Sequence, residues 1–261
     1  MRIQGIKYYL VIITILTTMT RCSQPTPFYQ SMKIQSTDST ISYLEVDSLN
    51  TGYLTNGFTW EFWFQISDVT NDAPCLLMVP DADNNNDLAI FIDPTTGKTV
   101  TLFYGNNQVT ATSARNLLDG EFHSLALADD GSGRLTLFVD GSLRTTKSHT
   151  WHLNPTGLNI LMGGDWDPGG ATPENGWTGF IDEVRLWDTA LTDDELIFHG
   201  THIEKLTEHF DAELLAHLKV LWRFNTTDKS QEVVSDEHPG SGDRPMLLPR
   251  GDVTWTENAA R

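Results

Sequence analysis

Gly179-Phe180-Ile181-Asp182-Glu183-Val184-Arg185-Leu186-Trp187-Asp188-Thr189-Ala190-Leu191-Thr192-Asp193-Asp194-Glu195-Leu196 reads as a strand that runs into a capped helical turn. Thr192 followed three residues later by Glu195 forms a capping box: the hydroxyl accepts from the Glu195 amide and the carboxylate reaches back to the Thr192 amide. Asp193 and Asp194 suit the positive end of the helix dipole. On a regular strand the adjacent acids Asp182 and Glu183 face opposite sides, so they cannot flank one bond.

Upstream, strand signals dominate. In Phe58-Thr59-Trp60-Glu61-Phe62-Trp63-Phe64-Gln65-Ile66 the positions Phe58, Trp60, Phe62, Phe64 and Ile66 form one apolar face, while Thr59, Glu61 and Gln65 form the other. That alternation predicts a half-buried strand. Further strands are expected at Ser42–Val46, Leu88–Ile92, Thr99–Tyr104, Glu121–Ala128, Arg134–Val139 and Leu158–Leu161. Asp140-Gly141 signals a tight hairpin, because both central positions of such a turn need positive φ. Downstream, Ile203, Leu206, Phe210, Leu214 and Leu218 recur at helical spacing, which predicts an amphipathic helix over Thr201–Leu218. Val220–Phe224 and Val253–Trp255 read as closing strands. The expected fold is all-β: a two-sheet antiparallel sandwich with a short C-terminal amphipathic helix.

The ordered set resembles the laminin G-like and pentraxin-like domains of the concanavalin A-like lectin superfamily. The string from Gly179 resembles the family's penultimate strand, and Tyr43–Val46 with Phe58–Trp63 resembles its opening strands. Glu121–Leu127 with Leu135–Gly141 resembles the central hairpin, and Val220–Phe224 with Val253–Trp255 resembles the ending of many bacterial members. The resemblance covers most of residues 38 to 258 and implies a jelly roll. It says little about function, since the same sandwich carries lectins, adhesion modules and glycosidases.

Arg2 and Lys7 precede an apolar run from Tyr8 to about Ile15, which reads as a targeting signal over residues 1–21. Cys22 then stands where a bacterial lipoprotein carries its lipid, although Arg21 places a large cation where that cleavage pattern has a small residue. Residues 22–31 read as an extended tether and 32–261 as the sandwich domain. The expected location is extracytoplasmic, with membrane attachment through a lipid anchor alone. Losing residues 1–21 removes three cations and no acid, taking the formal charge from −18 to −21. Such a chain repels phosphates, which argues against a nucleic-acid partner. With Cys22 lipidated, Cys75 has no disulfide partner and reads as a small buried hydrophobe.

Gly163-Gly164-Asp165-Trp166-Asp167-Pro168-Gly169-Gly170 carries the candidate site. Two carboxylates flanking one residue in a bent loop can converge on a hard cation. The segment is similar to the pentraxin calcium loop, and the resemblance implies Asp165 and Asp167 as metal ligands. It implies Asn85 and Asn86 as further ligands from the loop Asp81–Asp87. Both loops also read as ordinary solvated turns, which use Asp, Asn and Gly anyway. Trp166 and Trp177 lie in or beside these polar loops, where a flat indole can stack on a sugar while neighbouring acids and amides take its hydroxyls. His199, His202 and His209 follow no fixed zinc pattern, and Glu45-Val46-Asp47 begins a glycosidase-like acidic strand without completing it. The reading is a glycan- or glycoprotein-binding module with calcium as candidate cofactor. A metal-independent adhesion module is the alternative, and a glycosidase of the same fold the more distant one.

Overall fold

The computed structural model describes residues 30–70, 73–82, 86–105, 107–155, 159–166, 172–202, 212–225, 234–235 and 245–256. The chain opens with β1 (Ser31–Gln35), β2 (Tyr43–Asp47), β3 (Phe58–Val69), β4 (Cys75–Pro80), β5 (Asn86–Ile92) and β6 (Thr99–Tyr104). It continues through β7 (Asn107–Thr112), β8 (His123–Asp129), β9 (Arg134–Val139), β10 (Leu143–Ser148), β11 (Ile160–Met162), β12 (Asp165–Trp166), β13 (Pro173–Glu174) and β14 (Trp177–Trp187). Helix α1 (Asp193–His199) and a single turn α2 (Ala212–Leu215) precede β15 (Leu218–Trp222), β16 (Val234–Ser235), β17 (Met246–Arg250) and β18 (Val253–Thr256).

Two antiparallel sheets face each other. One has the order β10-β9-β8-β3-β14-β1-β18, with β15 also paired to β14, and the other β16-β17-β2-β11-β4-β5-β6-β7. The apolar face of β3 and the inward residues Leu88, Ile90, Val100, Leu102, Ile181 and Trp222 meet between them. Period-two alternation forces this arrangement, because each strand has one face that only a second sheet can bury.

The Asp140-Gly141 turn forms as expected, with φ of 52° and 59° at its two central residues. The capping box forms too: Thr192 Oγ1 accepts from Glu195 N at 3.4 Å and Glu195 Oε2 accepts from Thr192 N at 2.6 Å. Gly179 lies at a register shift between β14 and β3. A Cβ there would sit 1.8 Å from the Gln65 carbonyl oxygen, so no larger residue fits without moving backbone.

Three expectations are corrected. The polar face of β3 is not solvated: Thr59 and Glu61 are buried. Helix α1 covers that face, and Phe138, Trp187, Leu191, Leu196, Leu218 and Leu221 form a second apolar cluster beneath it. The helix expected over Thr201–Leu218 does not run through, since α1 ends before Gly200 and Leu218 begins β15, opposite Trp187; residues 203–211 lie outside those described. Leu218 belongs to the alternation Leu218, Val220, Trp222, all buried, and its match to the helical stripe is coincidental. β14 is also not a regular strand: its register shifts between Asp182 and Arg185, and Glu183 has a φ of 47°. This bulge buries Asp182 and Glu183 together.

Candidate functional site

β1, β3, β4 and β14 all start or stop at one end of the sandwich, and the short hairpin β12–β13 sits there. Its register places Asp165 opposite Glu174 and Trp166 opposite Pro173. Asn175 follows with a φ of 53°, a left-handed conformation that Asn tolerates better than most residues. Its carbonyl accepts from Cys75 N at 2.8 Å, and its Nδ2 donates to Asp165 Oδ1 at 2.8 Å.

Trp166 is half-buried. It rests on Cys75, Met78, Ala89 and Phe91 on the outer face of the second sheet, edge-on to Tyr43 with ring centroids 6.0 Å apart. Its Nε1 donates to Asn159 O at 3.0 Å, which fixes the ring in place. Burial, then the charge of Glu45, pushes the Tyr43 phenol up against the weaker opposing pull of Arg250, so Tyr43 keeps its proton as a donor.

Beside the hairpin lies a groove of about 370 Å³ lined by residues that include Asp38, Ile41, Thr70, Thr172, Glu174 and Asn175. Asp38 is carried at the tip of the turn between β1 and β2, closed by reciprocal backbone bonds between Thr37 and Thr40 of 2.9 and 3.2 Å. Thr70 Oγ1 donates to Gly176 O at 2.8 Å and leaves its lone pairs facing outward as acceptors.

The expected site residues fare differently. Asp165 and Trp166 share the hairpin. Trp177 is fully buried, and its Nε1 donates to Cys75 O at 2.9 Å, so it cannot stack on a ligand. It begins β14, whose alternation points it into the core between the sheets. Asp167, Asn85, Cys22 and residues 1–21 lie outside the described residues, as does the side chain of Asn86.

Of the expected calcium ligands, Asp165 is the one with a described side chain. Asn175 ties the Asp165 carboxylate to the Cys75 end of β4, whereas Asn86 pairs with Pro80 at the far end. Among the described residues no group of three or more His, Cys, Asp or Glu side chains is placed to hold a metal. The histidines have other work: His199 Nδ1 bonds Glu61 at 2.7 Å and His202 Nδ1 bonds Phe198 O at 3.1 Å.

The other carboxylates weighed for catalysis are engaged. Glu45 accepts from Asn159 Nδ2 at 2.7 Å and Arg250 Nε at 2.5 Å. Glu183 accepts from Arg185 at 2.8 Å and is ion-paired with Arg223 at 2.9 Å. Asp182 Oδ1 accepts from Glu183 N at 2.8 Å. Cys75 is buried and free of any disulfide, and burial, reinforced by the charge of Asp165, pushes its thiol well up.

Sequence reading missed Tyr43, Asn175 and the Asp38 turn as parts of this rim. The Asn175-Gly176 pair is a recognisable turn signal, and the outward register of Tyr43 follows from the alternation of Tyr43, Glu45 and Asp47. Nothing local marks Asp38, which reaches the groove only because β1 lies beside β14.

This two-sheet antiparallel sandwich with a loop-built rim defines a lectin-type jelly roll. Residues 38–197 match the model of the concanavalin A-like lectin/glucanase superfamily, more than half the chain, and the protein belongs to that family. No curated protein matches it. Among solved structures, a proposed carbohydrate-binding protein from Bacteroides ovatus superposes with a TM-score of 0.63 at 17% identity. The match covers 89% of this chain and 60% of that one, so this chain spans less than two thirds of that protein. The CBM40 module of a Ruminococcus gnavus sialidase, bound to α2,6-sialyllactose, gives a TM-score of 0.51 at 20% identity, covering 66% of this chain and 97% of that one. A heptameric SAP-like pentraxin from Limulus polyphemus gives 0.46 at 12% identity, over 67% of this chain and 77% of that one. The first two of these likenesses support the fold.

Proposed function

We propose that the protein is a carbohydrate-binding module that holds glycan at the rim formed by β12–β13, with Trp166 as the stacking ring and the adjoining groove as the polar cradle. The observation that carries this reading is Trp166 itself: a partly exposed indole, locked by its bond to Asn159 and its contact with Tyr43, beside a groove edged by hydroxyl, amide and carboxylate groups. A rigid ring loses little entropy on meeting a sugar face, and convergent polar groups orient the hydroxyls. Family membership and the carbohydrate-binding neighbours agree with this reading. Export by residues 1–21 and a lipid on Cys22 complete the proposal and would hold the rim outside the cytoplasm.

Calcium carries no step of it. Among the described residues the adhesion alternative has the exposed Ile197 of α1 and Phe103 of β6 in its favour.

The test is retention on a panel of immobilised glycans, with the protein and its Trp166→Ala variant run in calcium and in chelator. Saturable binding that Trp166→Ala weakens about tenfold, with thermal stability unchanged, supports the proposal. Retention of no glycan, or equal retention of both proteins, rejects it. Loss of binding in chelator alone would return Asp167 and Asn85 to the site.

A further inference from the structure

We infer that the rim groove sorts its ligands by charge, admitting uncharged and amine-bearing sugars and turning away carboxylate-bearing ones such as sialic acids. The inference rests on the glycan-binding reading of the same groove and gives that reading a ligand class.

Asp38 and Glu174 stand exposed on opposite walls of the groove, one on the β1–β2 turn and the other on β13. No Lys, Arg or His is found among the described residues lining it. The Asp165 carboxylate, across the hairpin from Glu174, adds a third negative charge, and it already takes an N–H of the Asn175 amide. The Thr70 hydroxyl spends its hydrogen on Gly176 O. The charged groups of the described lining are therefore anions beside neutral hydroxyls and amides, which suit sugar hydroxyls and ammonium groups. A sugar carboxylate needs the reverse, most favourably a guanidinium fork. Two cations on β17 and β1 are engaged away from the groove lining: Arg250 is bound to Glu45, and Lys33 bonds Gln35. The formal charge of −18 on the chain adds a long-range field of the same sign.

The CBM40 module that shares this fold is seen with sialyllactose bound. By this inference the present chain has a similar scaffold and the opposite charge preference.

The experiment uses matched pairs of immobilised glycans. Lactose is set against α2,3- and α2,6-sialyllactose, and N-acetylglucosamine oligomers against their deacetylated, amine-bearing forms. Each pair is read with the protein and with Asp38→Asn plus Glu174→Gln, at about 20 and 300 mM salt. The expected result is that sialylation weakens retention about fivefold to tenfold at low salt, while deacetylation strengthens it. Both differences should shrink in the double variant and as salt shortens the screening length. Equal or tighter retention of the sialylated members overturns the charge preference and leaves glycan binding standing. A charge preference that persists undiminished in the double variant overturns its assignment to this groove. Retention of no member of any pair overturns both this inference and the reading it rests on.

Discussion

Replacing Glu61 with Gln tests how the sheet and its covering helix are joined. Glu61 lies on β3 beneath α1, 5% exposed. Its Oε1 accepts from His199 Nδ1 at 2.7 Å and its Oε2 accepts from Trp187 Nε1 at 2.8 Å. Burial alone would raise this carboxyl's pKa. The charge and bond of His199, the charge of Arg185 and the Trp187 bond outweigh burial and pull it below its usual range. Gln keeps the shape but turns one acceptor into a donor, so either His199 or Trp187 meets an N–H where it needs an oxygen. A buried donor left without its acceptor costs about 1–3 kcal/mol, and the lost charge balance with Arg185 brings the total to about 3 kcal/mol. At roughly 2–4 °C per kcal/mol for a domain of this size, the melting temperature at neutral pH should fall by about 6–12 °C. The sign with pH follows from the depressed carboxyl. Its stabilisation is present above the unfolded-state carboxylate value and disappears as pH falls through the folded one, so wild type and variant should converge in acid. Differential scanning calorimetry from about pH 3 to 8 reads both effects. A melting temperature within about 2 °C of wild type at neutral pH, or a gap that widens in acid, would refute the reasoning.

Gly179→Ala should destabilise by about 3 kcal/mol or more, because its Cβ overlaps the Gln65 carbonyl and forces the central β3–β14 pair apart; a urea midpoint equal to wild type would contradict this. His123 bonds Asp140 through Nδ1 at 3.0 Å and Asp119 through Nε2 at 3.1 Å. Burial lowers its pKa, but the two carboxylates together outweigh it and raise it. Its stabilising contribution is therefore full below the ordinary histidine value, about 6.5, and is lost as pH rises through the folded one. An NMR titration should place its midpoint above that of a free histidine and show it dropping in Asp140→Asn, and a midpoint at or below the free value would count against the cluster. Cys75 should resist a thiol reagent at pH 8 in the native protein and react in urea, and fast native labelling would show that its strand is not buried as described.

The sandwich was legible because each strand signal was local. The β3 alternation, the Asp140-Gly141 turn and the Thr192–Glu195 capping box each depend on neighbours within a few residues, and all three form. What failed was tertiary. Glu61 looks solvated on its strand and becomes buried because α1, anchored by that capping box, folds back over it. Leu218 fits a helical stripe and a strand alternation equally well, and only its pairing with Trp187 decides between them. β17 begins after Pro245 and contains Pro249, so its sequence reads as loop although it pairs with β2 along five residues. In the site, Trp166 and Asp165 were visible as an aromatic and an acid in a glycine-rich bend. The burial of Trp177 and the engagement of Asp165 by Asn175 depend on where the Cys75 backbone lies, which no pattern within the loop encodes.

Glycan binding at the Trp166 rim is tested most directly by the indole N–H signals in an NMR titration of the protein with a glycan retained on the panel. The chain has eight tryptophans, each a separate reporter. The account predicts that Trp166 and the amides of Thr172, Glu174 and Asn175 move with ligand concentration while the buried Trp60, Trp177, Trp187 and Trp222 stay fixed. Ligand-dependent shifts confined to α1 and its surroundings, with Trp166 unmoved, would contradict it.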